Sequence, residues 1–180
     1  MDVAVQPSAV PALADRYLKV NHAGEHGAIC IYTAQIHVAR WTSRSLVPEL
    51  VEFRSHEVRH RSIFLAELRR RNRPRCRSYW LCGAGGYFLG FLTALCGRSA
   101  ISATTAALER VVLRHLEQQL LSLGSSDPQA SAAISAIISD EKEHHDRSAA
   151  HAKAGWFWPR VISPVVAVST EFVIWSGMRL

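Results

Sequence analysis

Apolar residues recur every three or four positions along most of the chain, which predicts long amphipathic helices and an all-α fold. Pro48 and Pro128 stand where a first helical turn tolerates proline, and Asp127 can cap the helix that follows it. The predicted helices span residues 15–42, 48–71, 78–96, 99–123 and 128–153. A last helix begins near residue 159, and Pro164 is expected to kink it or to confine it to its later part.

The apolar stripe of the helix over 128–153 continues into charged residues. In steps of three or four it passes through Ile134, Ile137, Glu141, His144 and Ser148. Glu141 and His144 are therefore predicted to face the core. A charge cluster of this kind is commonly a solvated helix end. A buried carboxylate needs a partner, however, and a metal ion binds both carboxylate and imidazole.

The same Glu-x-x-His spacing occurs earlier, in SHEVRHRSIFLAEL. Here one helical stripe consists of Phe53, Glu57, His60, Phe64 and Leu68. The residues HEVRH also have the His-Glu-x-x-His form of a zinc metalloprotease helix, with His56 and His60 as ligands. That interpretation leaves the second Glu-x-x-His pair without a function, so a site that uses both pairs is favoured.

Two further acidic residues lie on predicted apolar faces, Glu25 with Tyr32 and Glu109 with Leu116. The chain therefore contains Glu, Glu-x-x-His, Glu and Glu-x-x-His in order. Ferritin-like four-helix bundles use this set to bind two metal ions between facing helices. Carboxylate and imidazole ligands without a thiolate suit iron or manganese better than structural zinc. The six candidate ligands are Glu25, Glu57, His60, Glu109, Glu141 and His144.

A chain of 180 residues, 48% of them hydrophobic, is long enough for one domain with an enclosed core. We expect residues 1–14 to form a flexible tail and residues 15–180 to form the ferritin-like domain. The first 20 residues show neither a secretory nor a mitochondrial targeting pattern. The four cysteines contain no Cys-x-x-Cys pair, which favours free thiols in a reducing compartment.

Residues 78–97 lack charge until their end, and the arginine-rich sequence RRRNRPRCR precedes them. The segment is short for a membrane-spanning helix and contains glycines, so an interfacial helix or a buried crossover helix of the bundle is also compatible. Cations beside an apolar segment favour an anionic membrane surface. The arginines predicted to contact the membrane are Arg69, Arg70, Arg71 and Arg73.

The sequences LKVNHAGEHGA, ALERVVLRHLEQQL and DEKEHHD, with the Glu57 pair between the first two, resemble the demethoxyubiquinone hydroxylases over residues 17–180. These enzymes are membrane-bound di-iron monooxygenases of ubiquinone biosynthesis. The resemblance implies that the six candidate residues bind iron, that Glu57 and Glu109 bridge the two ions, and that His145 is not a ligand. His26 and Leu116 depart from the family pattern, which commonly has tyrosine at both positions.

The resemblance further implies that two Fe2+ ions catalyse the hydroxylation of 2-polyprenyl-3-methyl-6-methoxy-1,4-benzoquinol, with dioxygen and NADH as co-substrates. The implied partners are the polyprenyl quinone, membrane lipids, and a ubiquinone-biosynthesis complex or a second copy of the chain, without nucleic acid. The implied location is peripheral, on the cytoplasmic side of a bacterial inner membrane or the matrix side of the mitochondrial inner membrane.

Three other functions are compatible with the same ligands. An iron-storage or ferroxidase protein would need a more polar surface than residues 79–96 provide. A ferritin-like tRNA hydroxylase is favoured by the net charge of +6, but it has no use for the apolar segment. In a non-enzymatic membrane scaffold, the metal would only stabilise the fold. The glycine-rich sequence GAGGYFLG follows no predicted strand, so it does not indicate a dinucleotide site.

Overall fold

The computed structural model describes residues 9–152 and 157–179, and every regular element within these ranges is a helix. The helices are α1 (Ala9–Thr42), α2 (Val47–Arg70), α3 (Tyr79–Leu95), α4 (Arg98–Leu123), α5 (Pro128–Ser135), α6 (Ile138–Ala152) and α7 (Phe157–Gly177), with a 3-10 turn at Arg44–Leu46. This confirms the all-α prediction. Helices α1, α2, α4 and α6 form a ferritin-like bundle, while α3 packs on α1 and α7 packs on α4.

Three helix boundaries differ from the sequence prediction. Helix α1 begins at Ala9, so part of the predicted tail is helical, and residues 1–8 lie outside the described ranges. The helix predicted over 128–153 is broken between α5 and α6, where the Ile137 amide donates to the Ile134 carbonyl in a tight turn. Its predicted last residue, Lys153, lies outside the described residues. Helix α7 continues through Pro164.

Two apolar clusters fill the bundle on either side of the predicted ligands. One contains residues that precede Glu25 on α1 and follow His60 on α2, including Leu18, Phe64 and Leu116. The other contains residues in the opposite direction along the same helices, including Tyr32 and Phe53. The polar ligands therefore lie between two dry layers of core, which restricts the access of water to them.

Helix α3 lies against α1 at very short range because glycines face the contact. A Cβ atom at Gly86 would come within 2.4 Å of the Gly27 carbonyl oxygen, and one at Gly90 within 2.3 Å of the Ile31 carbonyl oxygen. No larger residue fits at either position without moving the backbone. The glycines that make a membrane span less favourable thus serve as the contact surface of a crossover helix.

The outer faces of α3 and α7 are apolar and exposed. On α3 the exposed fraction is 69% at Trp80 and 63% at Phe88, and on α7 it is 62% at Val165 and 63% at Phe172. By length and composition alone, α7 is the helix of the described ranges that could cross a membrane. Helix α3 falls short of that length, in agreement with an interfacial or crossover helix.

Ion pairs occupy part of the arginine run predicted to contact a membrane. The Arg71 side chain is only 11% exposed, and its Nη1 and Nη2 donate to the two carboxylate oxygens of Asp127 at 2.8 and 2.6 Å. Its Nε donates to Glu67 at 2.7 Å. The group of ion-paired residues, called the Arg71 cluster below, consists of Asp15, Glu67, Arg70, Arg71, Arg73 and Asp127.

The prediction that Arg71 faces the membrane is wrong, because this residue links the end of α2 to the start of α5. Asp127 accepts a hydrogen bond from the Ala130 amide and so caps α5, as its sequence position predicts. Arg69 is exposed, so its predicted contact with a membrane stays a prediction.

Candidate metal centre

The bundle brings all six predicted ligands together in its interior. Helix α1 contributes one glutamate, α2 a Glu-x-x-His pair, α4 one glutamate and α6 the second Glu-x-x-His pair. None of these residues is more than 6% exposed: Glu25, Glu57, His60, Glu109, Glu141 and His144. Spacings of three and four residues put each pair on the inward face of its helix, where the neighbouring positions are apolar.

The candidate ligand atoms form two groups, and in each group they lie within 4.8 Å of one another. The first group consists of Glu25, Glu57, His60 and Glu141, and the second of Glu57, Glu109, Glu141 and His144. Glu57 and Glu141 belong to both groups, whereas Glu109 belongs to one. The geometry therefore favours Glu57 and Glu141 as the shared carboxylates, whereas the resemblance implies Glu57 and Glu109.

Both histidines direct Nδ1 toward the carboxylates. His60 Nδ1 lies 2.8 Å from Glu141 Oε1 and 3.7 Å from Glu57 Oε2. His144 Nδ1 lies 3.2 Å from Glu57 Oε1 and 3.7 Å from Glu141 Oε2. Each imidazole thus faces both shared carboxylates, and the two Glu-x-x-His pairs are arranged as a pseudosymmetric unit across the bundle.

The donor atoms fit a metal pair better than they fit one another. Four buried atoms of the candidate ligands form no hydrogen bond of acceptable geometry: Glu57 Oε1, His60 Nδ1, Glu141 Oε1 and His144 Nδ1. Buried polar atoms normally have partners. Within the described residues, the ion pairs of Glu25, Glu57 and Glu141 involve histidine and no lysine or arginine. Glu109 accepts a hydrogen bond from the Tyr32 hydroxyl. Four clustered acids beside two imidazoles offer the negative charge and the oxygen and nitrogen donors that iron or manganese prefers.

The pKa shifts of the buried side chains also favour a bound cation. Burial, with repulsion from Glu57, raises the pKa of Glu25 well above its usual value, and burial with repulsion from Glu141 does the same for the pKa of Glu109. Burial alone would lower the histidine pKa values, but Glu141 and Glu57 raise the pKa of His60 to about 10 and that of His144 to about 9. Without a cation, protons must neutralise this cluster, and a divalent metal can replace them.

Three polar side chains around the ligands have roles that the stripe analysis does not predict. Tyr32, on the predicted face of Glu25, donates from its hydroxyl to Glu109 Oε1 at 3.1 Å. Asp140 Oδ2 lies 2.8 Å from His60 Nε2, and His56 Nδ1 lies 3.0 Å from His144 Nε2. The sequence signal for Asp140 is its position directly before the second Glu-x-x-His pair. His56 is a hydrogen-bond partner of a candidate ligand, and the metalloprotease interpretation is wrong.

His145 lies outside both groups of ligand atoms, as expected. Its Nδ1 is 3.0 Å from Asp146 Oδ1, and its side chain is 23% exposed. One residue of difference along α6 rotates a side chain by about 100°, so only His144 reaches the interior.

A cavity of about 440 Å³ leads to the carboxylates between α1, α3, α4 and α7. The carboxylates Glu25, Glu57, Glu109 and Glu141 lie along its inner wall, and most of the other lining residues are apolar, including Ile31, Leu89, Leu92, Leu108 and Val112. Leu116 also lines it, as predicted from its position two turns after Glu109. Exposed side chains of α3 and α7, including Phe88 and Val165, lie at its outer end.

Residues 12–177 match the family described as ubiquinone biosynthesis protein COQ7. The chain is 34% identical over 173 residues to the 3-demethoxyubiquinol 3-hydroxylase of Rhodospirillum rubrum, covering 94% of this chain and 79% of the relative. It is 32% identical over 171 residues to the mitochondrial NADPH-dependent 3-demethoxyubiquinone 3-hydroxylase of Dictyostelium discoideum, covering 92% of this chain and 77% of the relative. Identity to the mitochondrial 5-demethoxyubiquinone hydroxylase of Saccharomyces cerevisiae is 30% over 188 residues, covering 96% of this chain and 80% of the relative.

These matches extend over α1 to α7 and include both Glu-x-x-His pairs. They agree with the resemblance of the three sequence motifs and with a helical bundle around buried glutamates and histidines. The chain belongs to the ubiquinone biosynthesis protein COQ7 family.

Proposed function

We propose that this protein is a monooxygenase that hydroxylates the ring of a demethoxyubiquinol at a di-iron centre. The observation that carries the proposal is the apolar cavity that leads from the exposed faces of α3 and α7 to the buried carboxylates. A polyprenyl quinol is a largely apolar molecule with a small polar ring. A cavity with this polarity would receive the ring at the carboxylate end and the prenyl chain at the outer end.

The six candidate ligands would hold two iron ions, with Glu57 and Glu141 shared between them. Bound iron supplies the activation of dioxygen, which the amino-acid side chains lack. In the overall reaction a ring C–H bond becomes C–OH, the second oxygen atom becomes water, and a reductant supplies two electrons. We expect a nicotinamide nucleotide as the reductant, since the Dictyostelium relative is named NADPH-dependent. The resemblance implies NADH, so the assay uses both nucleotides.

The chain's own residues position the substrate and exclude water. Apolar lining residues such as Leu108 and Val112 surround the space next to Glu109. The cavity walls would keep bulk water from the ring and hold it against the centre. Tyr32 fixes the orientation of Glu109 through its hydroxyl. Leu116 provides a hydrocarbon surface at a position where a tyrosine would offer a hydrogen bond.

We further propose that the exposed faces of α3 and α7 contact an inner membrane as a peripheral surface. Phe88 and Val165 are each more than 60% exposed and lie at the outer end of the cavity. Aromatic and aliphatic side chains of this kind insert into the headgroup region of a bilayer. The prenyl substrate could then pass from lipid into the cavity without crossing water. The yeast and Dictyostelium relatives are described as mitochondrial.

The other functions considered from sequence receive less support. An iron-storage protein needs no apolar cavity of this size beside its ligands, and a tRNA hydroxylase would need a polar approach to them. Arginines that would favour RNA binding are in part ion-paired within the Arg71 cluster.

The test is turnover of the iron-loaded protein with a short-chain demethoxyubiquinol, dioxygen and either NADH or NADPH, followed by mass spectrometry of the quinone. The expected product is heavier by one oxygen atom, which derives from labelled dioxygen. Val112→Phe, which narrows the cavity, should abolish turnover without loss of iron. Leu121→Phe, at a residue that is 84% exposed, is the matched control and should retain activity. Iron-loaded protein that consumes dioxygen but forms no hydroxylated quinone would contradict the proposal.

A further inference from the structure

The two candidate histidine ligands have different hydrogen-bond partners on the side that faces away from the carboxylates. His60 Nε2 lies 2.8 Å from Asp140 Oδ2, and Arg59 in turn holds this carboxylate in an ion pair. His144 Nε2 lies 3.0 Å from Nδ1 of His56. A carboxylate thus supports one ligand, and a second imidazole supports the other.

The contact of His56 with His144 has the geometry of an in-line hydrogen bond between two rings. Their ring centroids are 5.2 Å apart, and their planes differ by 10°. Two coplanar imidazoles joined by an N–H···N bond have this separation, whereas face-to-face stacked rings lie closer together. His56 is partly exposed and His144 is fully buried, so the pair runs outward from the metal centre toward the surface.

The required proton positions follow from the ring chemistry. A histidine that binds a metal through Nδ1 carries its proton on Nε2. His60 can donate that proton to an anionic carboxylate, which is the stronger kind of acceptor. His144 can donate only to the lone pair of His56 Nδ1, so His56 must be neutral with its own proton on Nε2. A neutral acceptor gives less support to the developing positive charge of a metal-bound imidazole.

We propose that His56 is the positioning residue of His144 and that its imidazole makes the metal position at His144 the weaker of the two. The inference rests on the proposed di-iron function and adds an order of occupancy to it. The position at His60 fills first, because Asp140 fixes the tautomer of His60 and makes its Nδ1 a stronger ligand for the metal. The position at His144 fills second, at a higher metal concentration.

The test is stepwise anaerobic addition of 57Fe2+ to the metal-free full-length protein, with Mössbauer spectra and calorimetry at each step. The wild-type protein should show two binding steps whose dissociation constants differ by about tenfold or more. His56→Leu should weaken only the second step, by about 10- to 100-fold. Asp140→Asn should weaken only the first step by a similar factor, which assigns each step to its histidine.

Replacement by other acceptors separates positioning from packing. His56→Asn offers an amide oxygen at the position of Nδ1 and should retain the wild-type second step. His56→Asp offers a carboxylate, as Asp140 does, and should tighten the second step until the two steps merge. These two variants decide the matter even if His56→Leu fails to fold. His145→Leu is the matched control on α6, since His145 lies outside the ligand groups and pairs with Asp146.

Equal weakening of both steps by His56→Leu, or an unchanged second step in His56→Asp, would overturn the inference. Two equal steps in wild-type protein that hydroxylates the quinol would contradict this inference alone. Two unequal steps in protein that cannot hydroxylate the quinol would contradict the proposed function alone.

Discussion

Buried carboxylates occur in two regions of this protein, the candidate metal centre and the Arg71 cluster, and the two regions neutralise them differently. In the Arg71 cluster, Arg71 lies between Glu67 and Asp127, so the charges are balanced by the chain itself. In the candidate metal centre, four glutamates face one another, and the described groups that contact them are the imidazoles of His60 and His144 and the hydroxyl of Tyr32. The first region is complete as folded, whereas the second needs protons or cations from solution.

The directions of the pKa shifts express this difference. A hydrogen bond from Arg70 lowers the pKa of Glu67, and one from Arg71 lowers the pKa of Asp127. Burial raises the pKa values of Glu25 and Glu109 instead. The comparison teaches that burial alone does not identify a functional acid, since both regions contain buried carboxylates. The absence of an arginine or lysine partner among the described ion pairs distinguishes the functional site.

The largest expected effect is the loss of a ligand from the metal centre. His144→Ala should lose iron and reduce kcat/KM by at least about 1,000-fold, or about 4 kcal/mol, because no other buried imidazole can replace its Nδ1. Metal analysis and quinol hydroxylation measure the two effects. His145→Ala is the control and should keep both iron and activity. Equal loss of iron in both variants would show that the orientation assigned to α6, with His144 inward and His145 outward, is wrong.

Removal of Arg71, the largely buried cation of the Arg71 cluster, should destabilise the fold instead. Arg71→Met leaves the Asp127 carboxylate without its bidentate partner and removes one hydrogen bond from Glu67, which keeps those from Arg70. We expect a loss of about 3–5 kcal/mol in the free energy of unfolding. Denaturant unfolding of the metal-free protein measures it. Arg69→Met, on the exposed face of the same helix, should change the free energy by less than about 0.5 kcal/mol. Similar values for the two variants would show that the Arg71 cluster contributes no stability.

Neutralising one carboxylate in each region should have opposite effects. In metal-free protein at pH 8, Glu25→Gln removes a buried acid that repels its neighbours and should stabilise the fold by about 1–3 kcal/mol. Glu67→Gln removes an ion-pair partner of Arg71 and should destabilise it by a similar amount. The same unfolding experiment compares them. Changes of the same sign would remove the distinction between the two regions.

The pH dependence of metal-free protein should reveal both regions, with shifts of a few degrees in the melting temperature. The pKa values of Glu25, Glu109, His60 and His144 are raised in the folded state. The stability that these groups contribute is complete at pH values below their pKa values in the unfolded chain, and it is lost as pH rises. For the two histidines the loss occurs as pH passes their folded-state pKa values of about 9 to 10. The lowered pKa values of Glu67 and Asp127 act in the opposite sense, because their contribution is lost as pH falls below about 4.

Calorimetry between pH 3 and 10 tests this dependence. The melting temperature of metal-free protein should fall between pH 6 and 9. Iron loading should reverse that slope, since metal binding requires deprotonated ligands. Arg71→Met should reduce the fall of the melting temperature at acid pH and leave its fall at alkaline pH unchanged. A melting temperature of metal-free protein that rises from pH 6 to 9 would contradict the assignment of raised pKa values to the centre.

The local pattern of the sequence was sufficient to predict the helices and the inward orientation of the six candidate ligands. Residues three or four apart share a helical face whatever the helix packs against, so Glu57 with His60 and Glu141 with His144 could be identified without a fold. The stripe through Ile134 and Ile137 stays buried even though the helix breaks there, because the tight turn preserves its direction. Neither glycine nor proline marks that break, so the sequence contains no signal for it.

Contacts between distant parts of the chain decided the rest. Which glutamates are shared by both ligand groups depends on the register of α2 against α6, and periodicity within one helix carries no information about that register. Arg71 meets Asp127 across 56 positions of sequence, so one arginine of a run that predicts a membrane contact forms an internal ion pair. The sequence alone determined which residues face inward; only the tertiary structure determined their partners, because a partner's charge and distance are properties of packed helices.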